Sequence, residues 1–276
     1  MHSTGHFTGA DQLNLYYQCW NSGKSGNSVL VFIHGMAEHS DRYLFPVNYF
    51  SRKGYTVYVM DLRGHGNSEG RRAYADSMSQ LLEDIHCFLK MIREKEPGKK
   101  IILVGHSFGG QLVLNYGASH RNGVAGLIVS SPNIRLKLKV PFIKLLAAPI
   151  LSRALPTLSL GNELDASLIS HDREVVEAYR KDPKVLHKIT ARLADIVLEN
   201  HLKIMEYAKK IKVPSLMMHA GDDQICDPEG TREFFDKIPG RDKSLKIYNG
   251  YYHELFNEVE RDKVFRDMEA WIEKRN

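Results

Sequence analysis

The sequence predicts an α/β fold, a mostly parallel sheet with helices on both faces, and three observations lead there. Short, continuously apolar runs recur at 29–33, 55–60, 101–104, 126–131 and 213–219, the pattern of strands buried on both faces. Between the early runs lie segments of helical spacing that end at glycines or prolines, which is βαβ alternation. Three runs are followed by polar, glycine-bearing segments, 34–40, 61–70 and 106–110. In such a sheet ligands bind outside the carboxyl ends of the strands, so these three segments converge on one edge.

Taken in order, residues 7–20 alternate as an early strand pair with a turn near Gly9-Ala10-Asp11, and 21–28 is a loop. The strand at 29–33 leads into a helix that reaches Lys53 and stops at Gly54. The strand at 55–60 is followed, after its loop, by a helix over 77–95 with apolar residues at Met78, Leu81, Leu82, Ile85, Phe88, Leu89 and Ile92, stopped by Pro97-Gly98. The central strand, a helix to about His120 and the strand at 126–131 complete the first part. Regular alternation resumes at 213–219, with a helix at 229–238, a strand at 245–248 and a last helix over about 256–274. Between them, residues 133–205 hold Pro141, Pro149 and Pro156 and helical spacing near 172–181 and 184–206, with no strand pattern. The expected organisation is a core of 1–132 and 206–276 with a mostly helical cap, 133–205, over the convergent edge.

Composition narrows the function classes. Hydrophobic residues make up 43% and charged residues 26% of the 276, as in ordinary globular proteins. Three scattered cysteines, Cys19, Cys87 and Cys226, imply no disulfide framework and a reducing, cytoplasmic setting. The first residues lack a basic and an apolar leader region, and no apolar run approaches the roughly 18–20 residues of a membrane span, so membrane contact would be peripheral. The net charge of +5 resides in one stretch, where Arg135, Lys137, Lys139, Lys144 and Arg153 occur between Asn133 and Asn162 without an acidic residue. These cations alternate with aliphatic residues rather than stacking aromatics, which argues against nucleic acid and suits a cap that touches an anionic lipid surface. Nothing in the sequence sets an oligomeric state.

The chemistry centres on Gly105-His106-Ser107-Phe108-Gly109, placed between a strand and a helix. A serine at so sharp a turn takes a strained backbone, and its neighbours approach too closely for side chains, hence the glycines. Ser107 is the candidate nucleophile. A serine hydroxyl needs a base oriented by a carboxylate, and on this topology the partners follow as acid, then histidine. His253, beyond the last strand, fits the base. Asp222, Asp223 and Asp227 all fit the acid, and spacing alone leaves the choice open. The oxyanion donors would be the main-chain N–H groups of Phe108 and Met36. His34, His65 and His106 lack metal-ligand spacing and are read as structural histidines that hydrogen-bond the loops; no metal is expected.

With these motifs placed, the chain resembles the monoacylglycerol lipase branch of the α/β-hydrolase superfamily nearly end to end. The resemblance is carried by His34-Gly35-x-x-Glu38-His39-Ser40-x-Arg42-Tyr43, Arg63-Gly64-His65-Gly66-x-Ser68-Glu69-Gly70, Gly105 to Gly110, Leu155-Pro156-x-Leu158-Ser159-Leu160-Gly161 with Leu164-Asp165, Asp223-x-x-Cys226-Asp227 and Tyr248-x-Gly250-x-Tyr252-His253. It implies an α/β-hydrolase fold with a lid, and Ser107, Asp223 and His253 as the triad. It further implies Met36 and Phe108 at the oxyanion hole, Arg42 near a glycerol head group, and cleavage of a monoacylglycerol to fatty acid and glycerol without a cofactor. Where mammalian members have a second histidine, this chain has Phe256. Glu38 beside Arg42, with Leu146 and Ile150 of the apolar 134–160 stretch, completes the expected substrate-binding set. The related expectations are a lysophospholipase or a broad-specificity carboxylesterase.

Overall fold

The computed structural model describes residues 1–23, 26–119, 123–138, 141–162 and 164–275, and of 142–146 the backbone only. The described elements are β1 (His2–Thr8), β2 (Asn14–Trp20), β3 (Ser28–Ile33), α1 (Leu44–Arg52), β4 (Thr56–Met60), α2 (Met78–Lys95), β5 (Lys100–His106), α3 (Phe108–Ala118) and β6 (Gly126–Ser130). Then come α4 (Phe142–Ala154), β7 (Ser159–Gly161), α5 (Arg173–Lys181), β8 (Lys188–Thr190), α6 (Ala191–Ala208), β9 (Ser215–Ala220), α7 (Pro228–Lys237), β10 (Lys243–Tyr248) and α8 (Arg261–Glu273).

Eight strands form one sheet in the order β1-β2-β4-β3-β5-β6-β9-β10. β1 and β2 run antiparallel to their neighbours, and the six that follow are parallel. The reversal of order lies at β3, which has β4 on one side and β5 on the other. That is a topological switch point, where the loops leaving two adjacent strands diverge to opposite faces and open a crevice. The loops after β3 and β5 are those that carry the histidine-glycine and serine motifs.

Every residue of β3 is buried, and its period of two divides the core. Val29, Val31 and Ile33 belong to the layer under α2 and α3, and Leu30 and Phe32 to the layer under α1 and α8. α2 shows how sequence sets one face. The Ser77 hydroxyl accepts the Gln80 N–H at 3.1 Å and starts the helix, and Leu81, Ile85, Phe88, Leu89 and Ile92 fall on one buried stripe. Asp84 lies in that stripe with no exposure and holds Arg63 by two hydrogen bonds, 2.5 Å from Nε and 2.7 Å from Nη2. An apolar helix face thereby anchors the loop that follows β4.

The chain departs from expectation in a few places. Residues 133–205 contain a two-stranded antiparallel ribbon, β7 with β8, where no strand was expected. Three-residue strands are too short to show a period, and their pairing is set by tertiary contact. The helix expected over 184–206 begins only at Ala191, where the Thr190 hydroxyl accepts the Leu193 N–H. It runs to Ala208, so the expected boundary at 205 falls within its last turn. The last helix starts at Arg261 rather than 256, preceded by a 3₁₀ turn over Leu255–Asn257. No described helix is long and apolar enough to cross a membrane.

Replacing Asp84 by Ala removes the two short hydrogen bonds of the buried Arg63 guanidinium and leaves it only the longer contacts to Asp11 and the Ala10 carbonyl, 3.4 and 3.3 Å, among those described. The expected cost is about 3–5 kcal/mol of unfolding free energy, measurable by urea denaturation; a loss below about 1 kcal/mol would show that the pair does not anchor the loop.

Candidate active site

Ser107 stands between β5 and α3 at φ 52°, ψ −115°. A side chain in that region is strained by roughly 1–3 kcal/mol, and the surroundings over-determine it. Ser107 N–H donates to the Ser130 carbonyl at 2.9 Å, and its own carbonyl accepts from Gln111 and Asn133. A Cβ on Gly105 would strike the Gly109 carbonyl, and one on Gly109 would strike the carbonyls of Ile33 and His34. Both glycines are therefore required by close backbone approach. Phe108 follows as the first residue of α3, its ring fully buried, so its amide lies at the positive end of the helix dipole. Met36, in the loop after β3, lines the same cavity as Ser107.

Asp223 and His253 come from the loops after β9 and β10. His253 Nδ1–H donates to Asp223 Oδ2 at 2.7 Å, which leaves Nε2 as the acceptor. The carboxylate is saturated: Oδ1 accepts the N–H groups of Ile225 and Cys226 at 2.8 and 2.9 Å, and Oδ2 also faces His219 Nε2 at 3.2 Å. Burial alone would raise Asp223, but the charge and hydrogen bonds of His253 and His219 hold it well below the usual carboxylate range. Burial alone would lower His253. The adjoining Asp223 carboxylate, with Glu254 and Glu38 behind it, raises it instead.

The competing aspartates are otherwise engaged. Asp227 caps α7 by accepting the Glu229 N–H, and Asp222 is exposed in the turn. The three motif histidines serve the loops. His34 Nε2 accepts the Leu62 N–H at 2.9 Å, His65 Nδ1–H donates to the Arg63 carbonyl at 2.9 Å, and His106 Nδ1–H to Ser130 at 3.2 Å. Burial lowers His34, and pushes His65 down to about 3 and His106 to about 4. Among the described residues no group of three or more His, Cys, Asp or Glu could hold a metal ion.

Ser107 and His253 open into one cavity. Leu136, Leu138 and Leu160 supply part of the apolar wall, as the 134–160 stretch suggested. Much of the rest comes from later residues, Ile169, Ile189 and Val197 among them. Ile150 is not part of the wall. It is 70% exposed, because α4 turns Ala148 and Ser152 inward, both 3% exposed, and a residue two positions from each lies roughly 200° around the helix. The Leu146 side chain lies outside the described residues. Cys226 lines the cavity at 1% exposure; burial pushes its thiol well up, and a hydrogen bond with the Ser107 side chain opposes that shift.

Arg42 and Glu38 both border the cavity, and both are already paired. Glu38 accepts from Gly35 N–H at 2.6 Å, the Tyr43 hydroxyl at 2.9 Å and Arg42 Nη1 at 2.7 Å. Burial would raise it, but Arg42 brings it to about 2. Glu254 and Tyr179 are two further polar residues of the wall. The only signal in the sequence for Glu254 is its adjacency to His253, and for Tyr179 there is none. Of the basic stretch, Lys137 Nζ donates to the Asp223 carbonyl at 2.9 Å and Arg135 pairs with Asp227 and Glu233. Lys139 and the side chain of Lys144 lie outside the described residues.

A family profile described as Hydrolase_4, serine aminopeptidase S33, matches residues 24–260. The chain belongs to this family. The monoacylglycerol lipase of Mycolicibacterium smegmatis is 33% identical over 267 residues, 96% of this chain and 95% of its own. The crystal structure of Paleococcus ferrophilus monoacylglycerol lipase superposes with a TM-score of 0.86 at 31% identity, covering 95% of this chain and 99% of that one. A soluble variant of monoglyceride lipase from Saccharomyces cerevisiae, in complex with a substrate analogue, gives 0.91 at 26% identity, covering 100% and 95%. The fold is that of an α/β-hydrolase, and this S33-family chain is a carboxylic ester hydrolase of the monoacylglycerol lipase branch.

With His253 as the base, which must be neutral to take a proton, activity is expected to rise through its folded-state pKa, which the Asp223 carboxylate raises above the ordinary histidine value of about 6.5. The acid limb of the kcat/KM profile on a soluble ester is therefore expected above pH 6.5. Asp223→Asn removes the adjoining charge and should move that limb down while kcat falls about 10³–10⁴-fold; a parent limb at or below 6.5 would contradict the arrangement.

Proposed function

We propose that this enzyme hydrolyses monoacylglycerols to fatty acid and glycerol, with Ser107 as nucleophile, His253 as base and acid, and Asp223 as the orienting carboxylate. The observation that carries the reading is that the strained Ser107 turn and His253, held by the buried Asp223, open together into one largely apolar cavity. His253 Nε2 takes the Ser107 proton as Oγ attacks the ester carbonyl, and the amides of Met36 and Phe108 hold the oxyanion. Collapse of the adduct gives the acyl-enzyme, and the departing glycerol oxygen receives the proton from His253. Water, deprotonated by His253, then attacks the acyl-enzyme and releases the fatty acid, and Ser107 recovers its proton. Asp223 remains ionised throughout and stabilises the imidazolium that forms twice. The relatives named monoacylglycerol lipase support this substrate for the present chain.

In this reading residues 1–132 and 206–276 are the hydrolase core and 133–205 the cap that encloses the acyl chain. Peripheral lipid contact falls to the outward face of the cap, where Ile150, Leu155 and Leu158 are exposed at 70%, 54% and 39%.

Ser107→Ala should abolish fluorophosphonate labelling and lower kcat by at least about 10³-fold. Across a series of monoacylglycerols and p-nitrophenyl esters the long-chain members are expected to lead; a preference for acetyl or butyryl esters would overturn the lipase reading. Co-sedimentation with liposomes should weaken on I150D/L155D while turnover of a soluble ester persists, and unchanged partitioning would remove the cap from membrane contact.

A further inference from the structure

Arg42 stands in the wall of the cavity, and two buried carboxylates hold it. Glu254 grips it in a fork, Nη1 to Oε1 at 2.7 Å and Nη2 to Oε2 at 2.8 Å, while Glu38 takes a further Nη1 hydrogen at 2.7 Å. Each carboxylate is itself fixed: Asn257 Nδ2 donates to Glu254 Oε2 at 2.7 Å, and Gly35 and Tyr43 donate to Glu38. Beneath the guanidinium lies the Tyr179 ring, 4.6 Å from its centre. Glu38 and Glu254 are 3% and 5% exposed. Two carboxylates around one guanidinium leave a net charge of −1 beside His253, in surroundings where screening is weak.

A free arginine at this place would be a phosphate site, because its planar fork matches a phosphate bidentately. Here Glu254 fills that fork. Glu38 alone would have been enough to cancel the positive charge, so the second carboxylate reverses the sign of the wall. Its position follows from the turn that delivers His253: the Glu254 N–H donates to the Ile169 carbonyl at 2.8 Å.

We propose that Glu254 is a specificity-determining residue, which occupies Arg42 and restricts the site to esters with an uncharged head group while refusing those that carry a phosphate. This rests on the monoacylglycerol reading and states which lipid class that reading excludes. Selection by charge at a buried wall works through repulsion as much as through contact.

Oleoyl monoacylglycerol and oleoyl lysophosphatidate differ only in the phosphate, and their kcat/KM values in matched micelles test the proposal. The parent is expected to favour the neutral lipid at least 100-fold. Glu254→Gln should narrow that gap at least tenfold, and the double variant E254Q/R42Q should restore it, since the gain requires a released arginine. Thermal melting checks that E254Q is folded, and E254S, with the same expected outcome, serves if it is not. A binding arm without turnover compares lysophosphatidate with S107A and S107A/E254Q by calorimetry, where at least tenfold tightening is expected. A parent that turns over both lipids within threefold, or a gap and an affinity that E254Q leaves unchanged, overturns the proposal. If the parent does not hydrolyse monoacylglycerol, the substrate reading falls, and the binding arm alone then decides the charge selection.

Discussion

A non-glycine residue held at positive φ between a strand and a helix is the constraint on which this molecule depends. Ser107 tolerates it because its carbonyl and N–H are both used, by Gln111, Asn133 and Ser130, and because glycines at 105 and 109 let the backbone close without a clash. The strain has a direction. It lifts the hydroxyl off the end of β5 into the crevice of the switch point and sets α3 behind it, so that the Ser107 hydroxyl and the Phe108 amide arrive from one turn. Were the turn relaxed, β5 and α3 could not both pack as they do, since Gly105 and Gly109 meet at the site of bending.

Around that turn three buried carboxylates share a pattern: each accepts from one or two backbone N–H groups. Asp61 takes the N–H groups of Ser40 and Asn67, Glu38 that of Gly35, and Asp223 those of Ile225 and Cys226. A buried carboxylate left without such donors would carry a desolvation cost of several kcal/mol. Once satisfied, it fixes the loop that supplies the amides. Over these residues the loops after β3, β4 and β9 form neither α-helix nor sheet strand, and their amides are held in place by the carboxylates they bond.

Much of this was legible in the sequence because it is local. β3 and β5 announce themselves as continuous apolar runs, α2 by its stripe and its Ser77 cap, and the Ser107 turn by glycines that nothing larger could replace. What stayed hidden is what depends on distant partners. β7 and β8 exist only as a pair. Asp222, Asp223 and Asp227 are equivalent by spacing, and only the fold separates the one facing His253 from the one that caps α7. Ile150 looked like a wall residue because α4 is apolar on several sides, and periodicity cannot say which side faces inward. Glu254 is as polar as any surface residue in the sequence, and its burial follows from an arginine 212 positions away.

The cap and the site are also mechanically continuous. Ala37 and Ala73, in the loops after β3 and β4, both take positive φ, 67° and 47°. Their carbonyls accept from the segment around β8: Leu186 N–H reaches Ala37 at 2.8 Å, and Thr190 reaches Ala73 through both its N–H and its hydroxyl. On the opposite side the Glu254 amide ties Ile169 to the turn that bears His253. Two of these tethers end on residues adjacent in sequence to Met36 and His253, namely Ala37 and Glu254, and two end on alanines at positive φ, Ala37 and Ala73. A left-handed backbone costs such a residue roughly 1–2 kcal/mol, and the hydrogen bonds to its carbonyl are among the contacts that hold it. The hydrogen bonds to Ala37 and Glu254 thus tie segments of 133–205 to residues adjacent in sequence to Met36 and His253, so the packing of that segment and the shape of the cavity wall are set by the same contacts.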